Sequence, residues 1–414
     1  MVALSEGDFI FCHLKTDDDV EQYLELLRKV FGPEEGVDVL ARNFIRKHPW
    51  MTLRDHFVIK HYGRIVACLN LIPMKWSIGG IPLKVAEMGM VATLAEYRHR
   101  GLIRRLVNEF HRRVVDQEYD LSVIEGIPYF YRQFGYEYAI PLDSETRIRI
   151  YQIPDYKTDH EIRSFGDKDI PRAMQLLEQT QEKFYVHCTR DEKIWKMQEK
   201  THIAKDLPKF EAYAVEENGE MTAYFRVVDN PKDKELVLRE VTDTGQYVAQ
   251  SILKFLKDMG RNRGHETLVA ITSHYDSFLE HLVAVGGVKC IPSYAWQIRV
   301  TDYVRIFRKM KPLFEKRFAA SSYRHLTERL NFNFRRYVVQ MNVEDGKITD
   351  VQRIETDENR VIGLNPLVFT QLLLGHSSRQ ELEMIYPDFR IRPSHKHLID
   401  ILFPKLPSYI HAAC

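Results

Sequence analysis

The sequence predicts an α/β (α+β) fold made of two successive strand–helix–strand units and a smaller mixed third unit. Three observations carry this. Alternating apolar runs broken by the turn pairs Tyr62-Gly63 and Gly79-Gly80 fill residues 56–93. The basic turn "YRHRGLI", Tyr97–Ile103, joins the strand-like "VAEMGMVAT" to a segment of helical periodicity. The same order of elements returns from about Glu161.

Each element has its own signal. "DFIFCHL" reads as a strand. "TDDDVEQYLELLRKVFG" reads as a helix capped by Thr16, with Asp17, Asp18 and Asp19 in the first turn, where the helix dipole favours carboxylates. Val20, Leu24, Leu27 and Val30 form its apolar stripe, and Gly32 ends it. "HFVIKHYGRIVACLNLIPMKWSIGGIPLKVAEMGMVAT" gives three antiparallel strands. From Gly101, Leu102, Leu106, Val107, Phe110 and Val114 mark one helix face. "DLSVIEG" is a strand, "IPYFYRQFG" a short helix closed by Gly135, and "YEYAIPLDSETRIRI" a strand again.

The second unit reads as strand and helix ("IRSFGDKDIPRAMQLLEQT"), a hairpin turning at Asn218-Gly219, the strand "LVLREVTD", the helix "GQYVAQSILKFLKDMG", the strand "TLVAIT" and the helix "SFLEHLVAVGG". The third starts with the helix "TDYVRIFRKMKPLFEKRF". It continues with a hairpin turning at Asp345-Gly346 and the apolar helix "LNPLVFTQLLLG". The expected units are 1–150, 151–300 and 301–414.

Composition narrows the class. Lys+Arg 59 against Asp+Glu 58 leaves no basic excess for coating nucleic acid. No secretory signal or membrane-spanning run is readable. Cys12, Cys68, Cys188, Cys290 and Cys414 are scattered and form no CxxC pair. A reduced cytoplasmic protein without nucleic-acid or membrane partners is expected. His395 and His397 in "PSHKHL" lack completing ligands, so no metal is expected and they read as a solvated loop. Arg335-Arg336 beside Phe332 and Phe334 reads as a strand with one polar face rather than an RNA platform.

The turn carries the chemistry. Unpaired N–H groups at a helix start attract an anion, and Gly101 lets the backbone approach it. Arg98 and Arg100 supply charge-assisted donors. The second unit has "TDTGQYVAQS" in the corresponding place, without an arginine. It keeps the fold without the cradle.

The strand "MVAT", the turn Arg98-His99-Arg100-Gly101-Leu102-Ile103, the helix after it and "YFYRQFGYE" resemble the GNAT N-acetyltransferases. That family's loop runs Arg or Gln, two residues, Gly, one residue, then Gly or Ala. Arg98 and Gly101 match, and Ile103 stands where a small residue is usual. With a degenerate second GNAT unit and a sterol-carrier-protein-like tail, the whole chain resembles the enhanced intracellular survival (Eis) family. The resemblance implies acetyl-CoA held by Arg98–Ile103, with Val91 and Thr93 along pantetheine. It implies transfer to a primary amine of a small polycationic, aminoglycoside-like molecule, and a homo-oligomer such as a hexamer. Two other readings are an acyl-CoA- or lipid-binding protein on a GNAT scaffold and a protein or peptide amine acetyltransferase.

Tyr131 stands at the family's general acid; packing beside Tyr129 and Phe130 is the alternative. Two bases stay open. One is the chain's terminal carboxylate at Cys414, although "SYIHAAC" lacks the family's aromatic end. The other is Glu87, at the spacing from Arg98 where many GNAT enzymes keep a glutamate. Glu125 is a third candidate. The tail is preferred, because the third unit otherwise has no purpose in an acetyltransferase.

Overall fold

The computed structural model describes residues 9–204, 207–289, 295–335, 337–355, 361–389 and 391–412. The chain begins with β1 (Phe9–His13), α1 (Asp17–Phe31), α2 (Val37–Lys47), β2 (His56–His61), β3 (Arg64–Ile78), β4 (Ile81–Thr93), α3 (Leu102–Asp116), β5 (Leu121–Ile124) and β6 (Glu137–Pro141). It continues with β7 (Ser144–Arg149), β8 (Glu161–Ser164), α4 (Ile170–Gln181), β9 (Val186–Cys188), α5 (Glu192–Thr201), β10 (Ile203–Ala204), β11 (Leu207–Pro208), β12 (Glu211–Glu217), β13 (Glu220–Asn230) and β14 (Glu235–Val241). Then come α6 (Gln246–Asn262), β15 (Thr267–Thr272), α7 (Ser277–Ala284), β16 (Val288–Lys289) and β17 (Ala295–Val300). The third unit holds α8 (Tyr303–Ala319), β18 (Glu328–Asn333), β19 (Val338–Glu344), β20 (Lys347–Ile354), β21 (Val361–Gly363), α9 (Pro366–Leu373), α10 (Arg379–Ile385) and α11 (Pro393–Leu402).

Local chemistry accounts for these elements. Thr16 Oγ1 accepts from the Asp19 N–H at 3.1 Å, and the Asp19 carboxylate accepts from the Thr16 N–H, a capping box that starts α1. All four hairpin turns read from the sequence carry two consecutive left-handed residues: Tyr62-Gly63, Gly79-Gly80, Asn218-Gly219 and Asp345-Gly346. That geometry matches the twist of the flanking strands. The sequence reading left α2 unassigned, although its spacing buries Ala41 and Phe44. The segment "IPYFYRQFG" forms only the 3-10 turn Phe130–Phe134, closed by Gly135 at φ 87°.

Two smaller expectations are corrected. His395 and His397 lie on α11, started by Pro393 at a first-turn position where no N–H is needed, rather than in a loop. Arg335 is a left-handed turn residue beyond β18, while Arg336 lies outside the described residues. Phe332 and Phe334 are buried in the third unit's core.

The sheets depart from the expected unit boundaries. The first sheet runs β1-β2-β3-β4-β5-β17-β6, with β9 also on β3; the second runs β16-β7-β15-β14-β13-β12-β8. The strand following each copy therefore joins the other copy's sheet. β7 pairs β15, across the expected cut at 150, and β17 lies between β5 and β6, across the cut at 300. "YEYAIPLDSETRIRI" is two strands, because Leu142 and Asp143 cross from one sheet to the other.

The two copies share one device. β4 pairs β5 in parallel over Val85–Glu87 only, and β14 pairs β15 in parallel over Glu235–Leu238. Beyond those pairs the strands splay. In the third unit, a sheet of order β20-β19-β18-β21 packs on helices through aromatic rings. Tyr303 stacks on Phe334 at 4.0 Å, and Phe307, Phe332, Phe369 and Phe403 fill the space beneath.

Burial also sets the acid response. Loss of hydration pushes His48, His56 and His411 down to about 4 and His111 to about 3. Unfolded histidines titrate near 6.5. As pH falls from there, the unfolded chain takes up protons that the folded chain refuses, and stability drops. Asp276, raised by burial to about 7, works the other way over the same window. With His13, His274 and His376 also lowered by burial, seven histidines against one aspartic acid predict a melting temperature on the order of 10 °C lower at pH 4 than at pH 7. An unchanged melting curve would contradict these burials.

Candidate active site

Where β4 and β5 part, a cleft of about 450 Å³ opens between the end of β4, the start of α3 and the 3-10 turn. Val91, Thr93, Arg98, His99, Arg100, Gly101, Leu102, Ile103 and Tyr131 all line it. Thus every residue expected to hold the coenzyme, and the expected acid, meet around one cavity.

The turn has the geometry of an anion cradle. His99 and Gly101 are both left-handed, at φ 61° and 74°. No side chain caps α3, so its first N–H groups are left for a ligand. Nothing lies within 4 Å of where a Gly101 Cβ would stand, so the backbone is open to close approach. Arg98 and Arg100 are exposed beside it. Deeper in, the Thr93 hydroxyl is buried without a hydrogen-bond partner. A long anionic molecule with polar groups along its length fits these features.

β4 is irregular at the cleft. Cys68 pairs Ala92 and Asn70 pairs Gly89, so Met90 and Val91 oppose a single residue of β3. Met90 takes φ 50° to make this bulge. A bulge frees a backbone group from the ladder and re-aims it. No sequence motif announced it.

Tyr131 is 5% exposed, packed between Phe130 and Tyr136, with ring centroids 5.0 and 6.2 Å away. Burial, then the neighbouring Tyr136, raises its pKa, so the phenol stays protonated at neutral pH. Gly126 is required beneath it, since a Cβ there would stand 2.1 Å from the Tyr131 ring. Arg104, stacked on Phe134, donates to Gln133 at 2.5 Å and fastens the 3-10 turn to α3.

The base candidates sit apart from this lining. Glu87 is 2% exposed on β4, opposite Ile72 of β3 and Val123 of β5, at the last residue before the splay. Cys414 lies outside the described residues. The tail up to Ala412 runs beside β9: the Tyr185 N–H donates to Pro407 and the Tyr409 N–H to Val186. The Ala412 carbonyl accepts from Arg190 Nε at 2.8 Å, and Arg190 is itself paired with buried Glu240. Ala412 itself packs against Ala204 and Phe210 of the second unit, and none of these contacts lines the cleft.

The second unit's splay lacks the arginines. α6 begins after Asp243, which is bound by Lys183 at 2.7 Å, and buried Asp276 lies near. Among the described residues, no group of three or more His, Cys, Asp or Glu is arranged to hold a metal ion, and no helix is long and apolar enough to cross a membrane.

Residues 13–139 match the family described as acetyltransferase (GNAT) domain. No curated protein matches the chain by sequence. Among solved structures, a GCN5-related N-acetyltransferase from Anabaena variabilis aligns with TM-score 0.71 at 15% identity, over 97% of this chain and 99% of that one. A probable N-acyltransferase from Enterococcus faecalis aligns with TM-score 0.73 at 13% identity, with the same coverage. Eis1 from Mycobacterium abscessus aligns with TM-score 0.63 at 13% identity over 97% and 99% of the two chains. These three likenesses extend the shared fold across nearly the whole sequence. The chain carries a GNAT acetyltransferase domain at residues 13–139 and is an acetyltransferase.

Proposed function

We propose that the protein transfers the acetyl group of acetyl-CoA to a primary amine on a small polycationic molecule. The supporting observation is the meeting of the Arg98–Ile103 turn, the bulged end of β4 and Tyr131 around one cleft. Acetyl-CoA supplies an activated acetyl thioester, and this chain's residues do the rest. Arg98, Arg100 and the first N–H groups of α3 hold its pyrophosphate, and Val91 to Thr93 guide pantetheine. A backbone N–H freed at Met90–Val91 receives the carbonyl oxygen as it becomes negative. The amine nitrogen forms the new C–N bond, the C–S bond breaks, and Tyr131 gives its proton to the departing sulfur. The ammonium proton goes to the base. An alkylammonium titrates near 10.4, so a base or a pocket that lowers this value is required.

Two measurements separate the acceptor and the base. Thiol release from acetyl-CoA, compared across polyamines, aminoglycosides and peptide amines, should be fastest with a polyamine or aminoglycoside. A preference for peptide amines would reject the acceptor class. For the base, a short tag added after Cys414 should abolish turnover if the terminal carboxylate serves. Glu87→Gln should instead remove the rising limb of the pH–rate profile if Glu87 serves. Full activity in both altered proteins rejects both and leaves an amine neutralised by the pocket itself.

A further inference from the structure

The segment that carries Tyr131, residues 126–135, is held nearby by Arg104 on Gln133, by Arg132 on Glu137 and by the Tyr129 N–H donating to the Tyr138 hydroxyl. A strand remote in sequence holds its backbone as well. Gln297 of β17 is fully buried, and its Nε2 donates to the Gly126 carbonyl at 2.8 Å and to the Ile127 carbonyl at 3.4 Å. Gln297 is 171 residues from Gly126, and it stands opposite Ile124 of β5 and Tyr138 of β6, the strands on either side of the segment. Two residues on, Arg299 reaches the other end. Gly135, which closes the 3-10 turn at φ 87°, has the Arg299 Nε 3.4 Å from where its Cβ would stand. The Gly126 end then acts directly on the acid, because Gly126 lies against the Tyr131 ring so closely that a Cβ would overlap it.

We infer that Gln297 is a positioning residue for the proton transfer from Tyr131, acting through Gly126, and that the strand exchange between the two copies serves to deliver it. Two carbonyl oxygens can only accept, so an amide with two donor hydrogens suits them and a carboxylate does not. Nothing in this contact touches the phosphate cradle, which lies on the Arg98–Ile103 side of the cleft. The inference rests on the reading of Tyr131 as the acid.

A double-mutant cycle tests it. Gln297→Leu removes the amide, and kcat for thiol release, with spermidine as reference acceptor alongside the fastest amine of the panel, should fall about 10- to 100-fold. The Kd for acetyl-CoA should stay unchanged. In a Tyr131→Phe background the same substitution should lower kcat less than about threefold, since there is no proton left to position. A merely structural role would give the same loss in both backgrounds, and that result overturns the inference, as does full kcat in Gln297→Leu. If Gln297→Leu does not fold, the isosteric Gln297→Glu is put through the same cycle with the same outcomes. Loss of kcat in Tyr131→Phe without any in the Gln297 variants overturns this inference alone. Full kcat in Tyr131→Phe overturns the acid reading and this inference with it.

Discussion

Tyr131→Phe is expected to lower kcat by about 10²–10⁴-fold, the usual worth of a positioned acid, with little change in acetyl-CoA affinity. The substitution keeps the ring that packs on Phe130 and Tyr136 and removes only the hydroxyl. The core around it should therefore survive, and the melting curve should show that. Burial raises the phenol's pKa, so the proton is present throughout the neutral range and no falling limb from Tyr131 is expected below about pH 10. Steady-state rates across pH check both points. Full turnover at saturating substrates would assign Tyr131 to packing.

Arg98→Ala should weaken acetyl-CoA binding by about 10- to 100-fold, on a charge-assisted hydrogen bond worth roughly 1.5–3 kcal/mol. Gly101→Val should act as strongly for a different reason. Gly101 sits at φ 74°, where a β-branched residue is strained, so the turn would have to change shape although the added side chain meets no neighbour. Calorimetry should find one coenzyme per chain. At the second splay, Asp243 and Thr244 stand where the first unit has arginines, and Asp243 is bound by Lys183. That turn offers no arginine to make the charge-assisted bonds that Arg98 and Arg100 give the phosphates. Two equivalent sites per chain would contradict this contrast between the copies.

What could be read in the sequence was local. The hairpin pairs Tyr62-Gly63 and Asp345-Gly346 announce themselves, because left-handed positions select glycine and its polar or aromatic predecessor. Thr16 and the three aspartates after it mark the start of α1 for an equally local reason. The Arg98–Ile103 cradle was legible because its charge, its glycine and the helix stripe lie within a few residues. The exchange of β7 and β17 was not, since strand partners are chosen by burial over long separations and a run such as "YEYAIPLDSETRIRI" carries no mark of which sheet takes each half. Gln297 was invisible for the same cause. The bulge at Met90 sits inside an ordinary apolar run, where a positive φ on a methionine has no compositional sign. Only Gly126, just past a strand, offered a hint of the close approach it permits.

The central claim is that this cleft moves an acetyl group from coenzyme A to an amine. The direct measurement follows free thiol and N-acetylated amine together, with acetyl-CoA and spermidine or an aminoglycoside, in the intact protein and in Arg98→Ala. The account predicts one acetylated amine for each thiol released, and a rate that falls in Arg98→Ala at low acetyl-CoA and recovers as acetyl-CoA is raised. Thiol release that no amine accelerates, or amine acetylation that Arg98→Ala leaves untouched at low acetyl-CoA, would contradict it.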